Sequence, residues 1–340
     1  MKNKNVTIYD IAKEANVSPA TVSRVLTGNA RVRPETMKKI VAIIEKHQFR
    51  PNELARSLLY KKSKMLGFIL PDITSPFFST LVLKSESYAL KNGYSSFVCN
   101  SMNSREMESK YLQTLLEKQV DGIVFLGGRI NNVAPPKEQI EELKQVIKRV
   151  PVVLVNGSLP DLDAPIIRSD EGDGVKQLVQ LAIQKGHTKI GFLGGTVGVT
   201  SYELKLAAFE EEMKKVGLPF NKEWIIPDSF SIASGEIVIE KLILTKEMPT
   251  AILCANDYVA MGAINQLQKH GYEVPTDISV LGFDDMYISQ YFPPGITTIS
   301  QNYERLGQTA IEVLLNMIEG KEVEKETIIP TTLIHRQSCL

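Results

Sequence analysis

Arg24 stands in the run SPATVSRVL beside Ala20, Thr21 and Ser23. Together these side chains have the chemistry for reading nucleic acid. An arginine fork donates two hydrogen bonds to a guanine edge, an alanine packs on a thymine methyl, and short hydroxyls bind phosphates or base edges. Far along the chain, LGFDD carries Asp284 and Asp285. Paired carboxylates suit acid/base catalysis, yet no histidine or nucleophile motif accompanies them, so Asp284 reads as a ligand hydrogen-bond acceptor at a strand end. Gly194, Gly195 and Gly198 lack the Lys and Ser/Thr of a phosphate-binding loop and miss the dinucleotide spacing. His47, His187, His270 and His335 share no ligand spacing with one another or with Cys99, Cys254 and Cys339. No metal, no cofactor and no enzymatic activity are expected.

The elements that would hold the first set are helices. In VTIYDIAKEANVSPATVSRVLTG, the residues Ile8, Ile11, Ala12 and Ala15 fall on one helical face, and Asn16 offers a left-handed stop. Ser18 is a good N-cap and Pro19 suits the first helical position, while Val22, Val25 and Leu26 form an inward face before Gly28. Two such helices joined by about four residues make a helix-turn-helix, whose second helix enters the major groove. A third helix is expected from about Pro34 to His47, covering the first two with Met37, Ile40, Val41 and Ile44. A three-helix packing module with a solvated basic face fits the same pattern.

Charge separates this segment from the rest. Residues 1–64 hold 14 Lys and Arg against 5 Asp and Glu; the remainder of the 340 residues holds 25 against 34. The asymmetry asks for an anionic partner, nucleic acid or an anionic membrane surface. No apolar run reaches the roughly 18 residues of a spanning helix, and MKNKNVTIYD has no apolar signal core. The three scattered cysteines fit reduced thiols. A cytoplasmic protein is expected.

The stretch FRPNELARSLLYKK, from Phe49 to Lys62, reads either as a basic linker or as a helix that needs partners, since fewer than about 12 to 15 residues are marginal alone. Beyond it, short continuously apolar runs have the character of strands buried on both faces of a parallel sheet. They are Leu66–Leu70, Ser96–Cys99, Gly122–Leu126, Val152–Val155, Lys189–Leu193, Ala251–Cys254 and Ser279–Gly282. Helical patterns such as Phe77–Asn92, Gly172–Lys185 and Tyr258–His270 alternate with them. That alternation argues for two doubly wound α/β units of about 120 to 150 residues, which bind ligands at the carboxyl ends of their strands.

The run from Val6 to Leu26, with YDIAKEANVS and TVSRVL inside it, resembles the DNA-binding signature of the lactose/galactose repressor (LacI/GalR) family, and RPNELARSL resembles that family's hinge. AILCANDYVAMGA, VPTDISVLGFDD and ITTISQ are similar to its two-lobed effector-binding half, a relative of periplasmic sugar-binding proteins. The resemblance implies DNA contacts at Thr7, Ser18, Pro19, Ala20, Thr21, Ser23, Arg24 and Asn29. It also implies a hinge that is helical only on DNA, with Asn52 and Ala55 facing the duplex and Leu58 wedged into the minor groove, kinking it. Pro19 departs from many relatives, which carry a polar or larger residue there.

In the effector half the resemblance places Phe77 and Phe78 in the cleft, Phe230 as an aromatic that stacks on the ligand, and Asp170, Asn256, Asp284 and Gln301 as hydrogen-bonding positions. The three phenylalanines also fit a plain core role. Lys205 stands where many relatives have arginine, a flexible point charge in place of a fork. Asp170–Glu171 replaces a common Asp-Asn pair. These departures point to a ligand with an amino or an acidic group.

The expected fold is α/β: two doubly wound parallel-sheet lobes, periplasmic-binding-protein-like, preceded by a small all-α helix-turn-helix domain. The boundaries are residues 1–49 for the DNA-binding domain, 50–63 for the hinge and 64–340 for the effector domain. The resemblance implies three crossings between the lobes, so that one takes about 64–161 and 294–325 and the other about 162–293 and 326–340. The expected function is ligand-controlled repression from a pseudo-palindromic, double-stranded operator bound by a homodimer. A sugar or sugar derivative is the expected effector, no membrane is involved, and a protein corepressor stays open as a further partner. The alternative is a cytoplasmic sugar-binding protein or an enzyme with a basic tail.

Overall fold

Thr7 and Asp10 start the first helix, α1 (Ile8–Ala15), with a capping box in which each side chain accepts from the other residue's backbone N–H. Asn16 ends α1 in the left-handed conformation, φ 57°. Helix α2 (Pro19–Thr27) follows, and then α3 (Pro34–Lys46). Ile11, Ala12, Ala15, Val22, Ile40 and Ile43 form the core of this unit. The inward face of α3 is therefore Ile40, Ile43 and Ile44, whereas the expected Met37 and Val41 are 46% and 37% exposed. Both faces satisfy helical spacing; the position of α1 selects the former. Glu14 of α1 reaches Lys46 at 2.8 Å and His47 at 2.6 Å, and the Lys46 contact leads in holding its carboxyl below the usual range.

The computed structural model describes residues 6–27, 32–49 and 62–340. Its contacts separate two units, Met1–Ser63 and Lys64–Leu340. Asn29 and the expected hinge positions Asn52, Ala55 and Leu58 lie outside the described residues.

In the second unit, apolar strands alternate with helices to give two parallel sheets. The first sheet has the order β11-β5-β4-β3-β1-β2. It contains β1 (Met65–Leu70), β2 (Ser95–Asn100), β3 (Gly122–Leu126), β4 (Val152–Val155), β5 (Ile166–Ser169) and β11 (Glu326–Ile329). Helices α4 (Pro76–Lys91) and α11 (Tyr303–Ile318) cover one face, and α5 (Arg105–Glu117) and α6 (Lys137–Ile147) the other. The second sheet has the order β7-β6-β8-β9, from β6 (Ile190–Leu193), β7 (Ile225–Ile226), β8 (Ala251–Cys254) and β9 (Ser279–Leu281). Helices α7 (Glu171–Gln184) and α8 (Thr200–Lys215) lie on one side of it. Helices α9 (Ile232–Ile243) and α10 (Asp257–Lys269) lie on the other. An added Cβ at Gly262 would stand 1.9 Å from the Ile232 carbonyl, so this glycine is what allows α9 and α10 to approach so closely.

The chain crosses between lobes three times, later at each crossing than the sequence suggested. Strand β5 pairs with β4 in the first sheet, so the first crossing follows Ser169 and not residue 161. Strand β10 (Thr298–Ser300) pairs antiparallel with β12 (Thr332–Ile334) beside the second lobe, while α11 returns to the first. The second crossing thus follows Ser300 and not residue 293, and the third follows Ile329 and not residue 325, because β11 pairs with β5. Strand β5 reads IIRS and β11 reads ETII, short segments whose polar residues hid them from an apolar-run reading. The three crossings are sewn to one another. Asp170 N–H donates to the Ile329 carbonyl at 2.9 Å, and Asn302 Nδ2 lies 3.3 Å from Thr332 Oγ1.

Candidate functional site

The surface of α2 carries the nucleic-acid candidates. Ser18 accepts from Thr21 N–H at 3.2 Å and its hydroxyl lies 2.9 Å from that of Thr21, so this pair caps the helix. Ala20 and Arg24 are exposed, one turn apart, and Pro19, Thr21 and Ser23 are partly exposed beside them. Thr7 is exposed but its hydroxyl is engaged with Asp10 at 2.6 Å. Tyr9, 71% exposed on α1, is a surface aromatic that the sequence reading passed over because it sits among core positions.

The second unit holds a cavity of about 860 Å3 lined from both lobes. Pro71, Asp72, Phe77, Phe78 and Asn156 line it from the first lobe; Glu171, Ser201, Lys205, Phe230, Asn256, Tyr258 and Asp284 line it from the second, and Gln301 lies on the crossing. Most of these residues stand at the carboxyl ends of strands, where a doubly wound sheet leaves a crevice. The apolar wall is an edge-on pair, Phe77 and Phe78, with ring centres 5.0 Å apart at 80°.

The polar floor is buried. Lys205 Nζ sits 3.8 Å from the centre of the Phe283 ring, donates to the Ala255 carbonyl at 3.0 Å and lies 3.3 Å from Glu171 Oε1. Ser201 donates to the same Glu171 oxygen at 2.8 Å. Asp284 adopts φ 102°, a strained region for a residue with a side chain, and accepts from Gln301 Nε2 at 2.6 Å. Burial raises the Asp284 pKa above the usual carboxylate range, against the pull of Lys205. Gln301 turns its carbonyl oxygen to Asn156 Nδ2 at 2.7 Å and to the Ser169 hydroxyl. Asn256 caps α10 by accepting from Val259 N–H at 2.9 Å and donates to the Phe230 carbonyl at 3.0 Å.

On one flank the lobes touch directly. Val133 N–H donates to the Gly198 carbonyl at 3.0 Å, Asn132 and Val199 form an antiparallel bridge, and Thr200 Oγ1 donates to Asn131 Oδ1 at 3.2 Å. Beneath this flank Arg129, 2% exposed, is held by Glu108 at 2.7 Å and by Ser109 at 2.8 Å. That network fixes the turn Gly128–Asn131 from below.

Of the effector positions taken from the sequence, Phe77, Phe78, Lys205, Phe230, Asn256, Asp284 and Gln301 line one cavity. Asp170 does not. It is the N-cap of α7, accepting from Asp173 N–H at 3.0 Å, and its successor Glu171 faces the cavity. Asn156, Ser201, Tyr258 and Asp72 also line it and were missed. The only signal for them was position just past a strand end or at a helix start.

A helix-turn-helix unit followed by a two-lobed unit with a polar cleft defines a ligand-binding transcription regulator. Residues 7–52 match the family described as bacterial regulatory proteins, lacI family, and residues 179–339 match a periplasmic binding protein-like domain. Catabolite control protein A of Priestia megaterium is 35% identical over 98% of this chain and 99% of its own. The HTH-type transcriptional repressor PurR of Aliivibrio fischeri is 34% identical over 98% of both chains. Among solved structures, a lac repressor dimer bound to operator and the anti-inducer ONPF is 27% identical with a TM-score of 0.88, covering 99% of this chain and 100% of that one. A LacI family transcriptional regulator from Enterococcus faecium with bound ribose is 25% identical with a TM-score of 0.70, covering 81% of this chain and 98% of that one. The chain belongs to the LacI family of bacterial regulatory proteins. It is a DNA-binding transcriptional repressor with an effector-binding domain, and its relatives are regulators and not enzymes.

Proposed function

We propose that this repressor binds a pseudo-palindromic operator as a homodimer and that a small, sugar-like molecule in the cleft controls the binding. One helix-turn-helix reads too few base pairs to be specific, and a two-fold dimer maps onto two half-sites. The operator-bound lac repressor dimer, similar over the whole chain, supports that assembly. Arg24 and Ala20 are the candidates for base edges, with Thr21, Ser23, Ser18, Pro19 and Thr7 around them; Asn29 and the hinge residues Asn52, Ala55 and Leu58 join them on sequence grounds alone. Such a partner places the protein in the cytoplasm.

The observation that carries effector control is Gln301, which hydrogen-bonds Asn156 in the first lobe and Asp284 in the second. A ligand that engages Asp284 and the phenylalanines changes the balance of contacts between lobes, and lobe closure would set whether two hinge segments can pair on DNA. A coupling of about 1 to 3 kcal/mol corresponds to about 5 to 150-fold in operator affinity. The carboxylates, amides and aromatic faces suit hydroxyl groups and the apolar side of a ring. The test is selection of a preferred sequence from random duplex DNA, followed by titration with candidate ligands. Binding without sequence preference at any salt concentration would remove this reading.

A further inference from the structure

Two carboxylates in the cleft each keep one oxygen without a protein partner. Glu171 is 7% exposed and Asp284 6%, and both line the cavity. Glu171 accepts from Ser201 and faces Lys205 with the same oxygen, Oε1, and Asp284 accepts from Gln301 with Oδ1. Glu171 Oε2 and Asp284 Oδ2 have no hydrogen-bond donor among the described residues. Neither oxygen is sealed inside the protein; both open onto the cavity, where the donors of a bound molecule can reach them.

The charge balance narrows what those donors are. Among the described lining residues Asp72, Glu171 and Asp284 are acids, and Lys205 is the single Lys or Arg. Lys205 is already committed, to Glu171, to the Ala255 carbonyl and to the face of Phe283. A ligand carboxylate or phosphate would therefore meet two buried carboxylates and no uncommitted cation. A positive group is favoured by the carboxylates, in a space that Phe77, Phe78 and Phe230 also line.

We propose that the effector is a polyhydroxylated molecule carrying a protonated amine, with the ammonium seated between the free oxygens of Glu171 and Asp284. The inference rests on the cleft being the effector site. Neutral polyols satisfy the two acceptors; an ammonium in addition favours the ionised form of Asp284 against the burial that raises its pKa, and an acidic sugar opposes it.

The experiment is calorimetric titration of the full chain at pH 7 with glucosamine, galactosamine and mannosamine, each beside its parent hexose, hexuronate and hexose 6-phosphate. At least one amino sugar is expected to bind about tenfold or more tightly than its parent, the acidic derivatives more weakly than either. The advantage is expected to fall as pH rises through the amine's own pKa, and to shrink to about threefold or less in Glu171→Gln, with Asp284→Asn as a second variant should the first not fold. Failure of every amino sugar to bind, tighter binding of a parent or acidic sugar, or an advantage unchanged by pH and by the folded variant overturns the proposal. Sequence-specific DNA binding measured on the same preparation separates the outcomes: if it persists, the ligand class alone is wrong; if it is absent, the regulator reading falls with it.

Discussion

Gln301 Nε2 and Asp284 Oδ1 lie 2.6 Å apart, a short hydrogen bond between a crossing segment and the floor of the cleft. The other end of the same amide serves Asn156 and Ser169 of the first lobe. One buried side chain thus satisfies groups in both lobes. A ligand that engages Asp284 therefore acts on the element that joins them, and reciprocity requires that lobe position acts back on ligand affinity.

Replacing Gln301 by Leu keeps the volume but leaves the Asp284 carboxylate, the Asn156 amide and the Ser169 hydroxyl short of a partner. Hydrogen bonds to charged groups contribute about 1.5 to 3 kcal/mol. Ligand affinity is expected to fall about 10 to 150-fold, with a smaller ligand-induced change in operator affinity. Titration calorimetry and fluorescence anisotropy on the same variant read both, and wild-type values for both would detach Gln301 from the mechanism.

Arg24→Ala is expected to lose about 1 to 3 kcal/mol of operator affinity and to relax preference at one base pair of each half-site, if the fork reads a guanine. Uniform weakening across all sequences would instead make Arg24 a phosphate contact. Competition against a panel of single-base operator variants distinguishes the two.

Gly262→Ala inserts a methyl where the Ile232 carbonyl stands 1.9 Å away. Backbone offers no side-chain rotamer as an escape, so α9 and α10 must separate. Overpacking of this kind costs about 1 to 3 kcal/mol, read as a lower urea midpoint for the second unit. The helix-turn-helix residues Ile11 and Val22 belong to a separate core and report no change.

Asp257 is 0% exposed and accepts from Ser289 and Thr298 at 2.6 Å and from Met286 N–H at 2.7 Å. Burial, the leading cause, raises its pKa from 3.8 to about 7 despite those bonds. The folded state therefore holds this proton more tightly than the unfolded chain does. The stabilisation that follows is full below about pH 4, declines as pH rises, and is gone above about pH 7. Wild type is expected to lose stability between pH 4.5 and pH 7.5 relative to Asp257→Asn, read from chemical denaturation at both pH values. Parallel pH profiles for the two proteins would contradict the raised pKa.

Much of this was legible in the sequence because burial on two faces leaves continuous apolar runs. VVLV at β4 and AILC at β8 announced themselves as strands, and TVSRVL announced the second helix of the DNA-binding unit. Strands β5, β10, β11 and β12 did not, because each is three or four residues long and carries polar residues. The lobe boundaries taken from the resemblance stop short of β5, β10 and β11 at the three crossings. In the site, motif position found Asp284 and Gln301 but chose Asp170 over Glu171, since which of two adjacent acids caps a helix and which enters the cavity depends on the helix start. Lys205 pairs with Glu171, 34 residues before it, and with Phe283, 78 residues after it, and no local pattern encodes contacts at those separations.

The most direct test is the affinity of the full chain for its selected operator, measured against random duplex DNA across a salt series, with and without a ligand shown by calorimetry to occupy the cleft. The account predicts strong preference for the operator, a steep fall of affinity with salt because the protein neutralises several phosphates and displaces their counterions, and a ligand-dependent shift of about 5 to 150-fold. Equal affinity for operator and random DNA, or an operator affinity indifferent to a saturating cleft ligand, would contradict it.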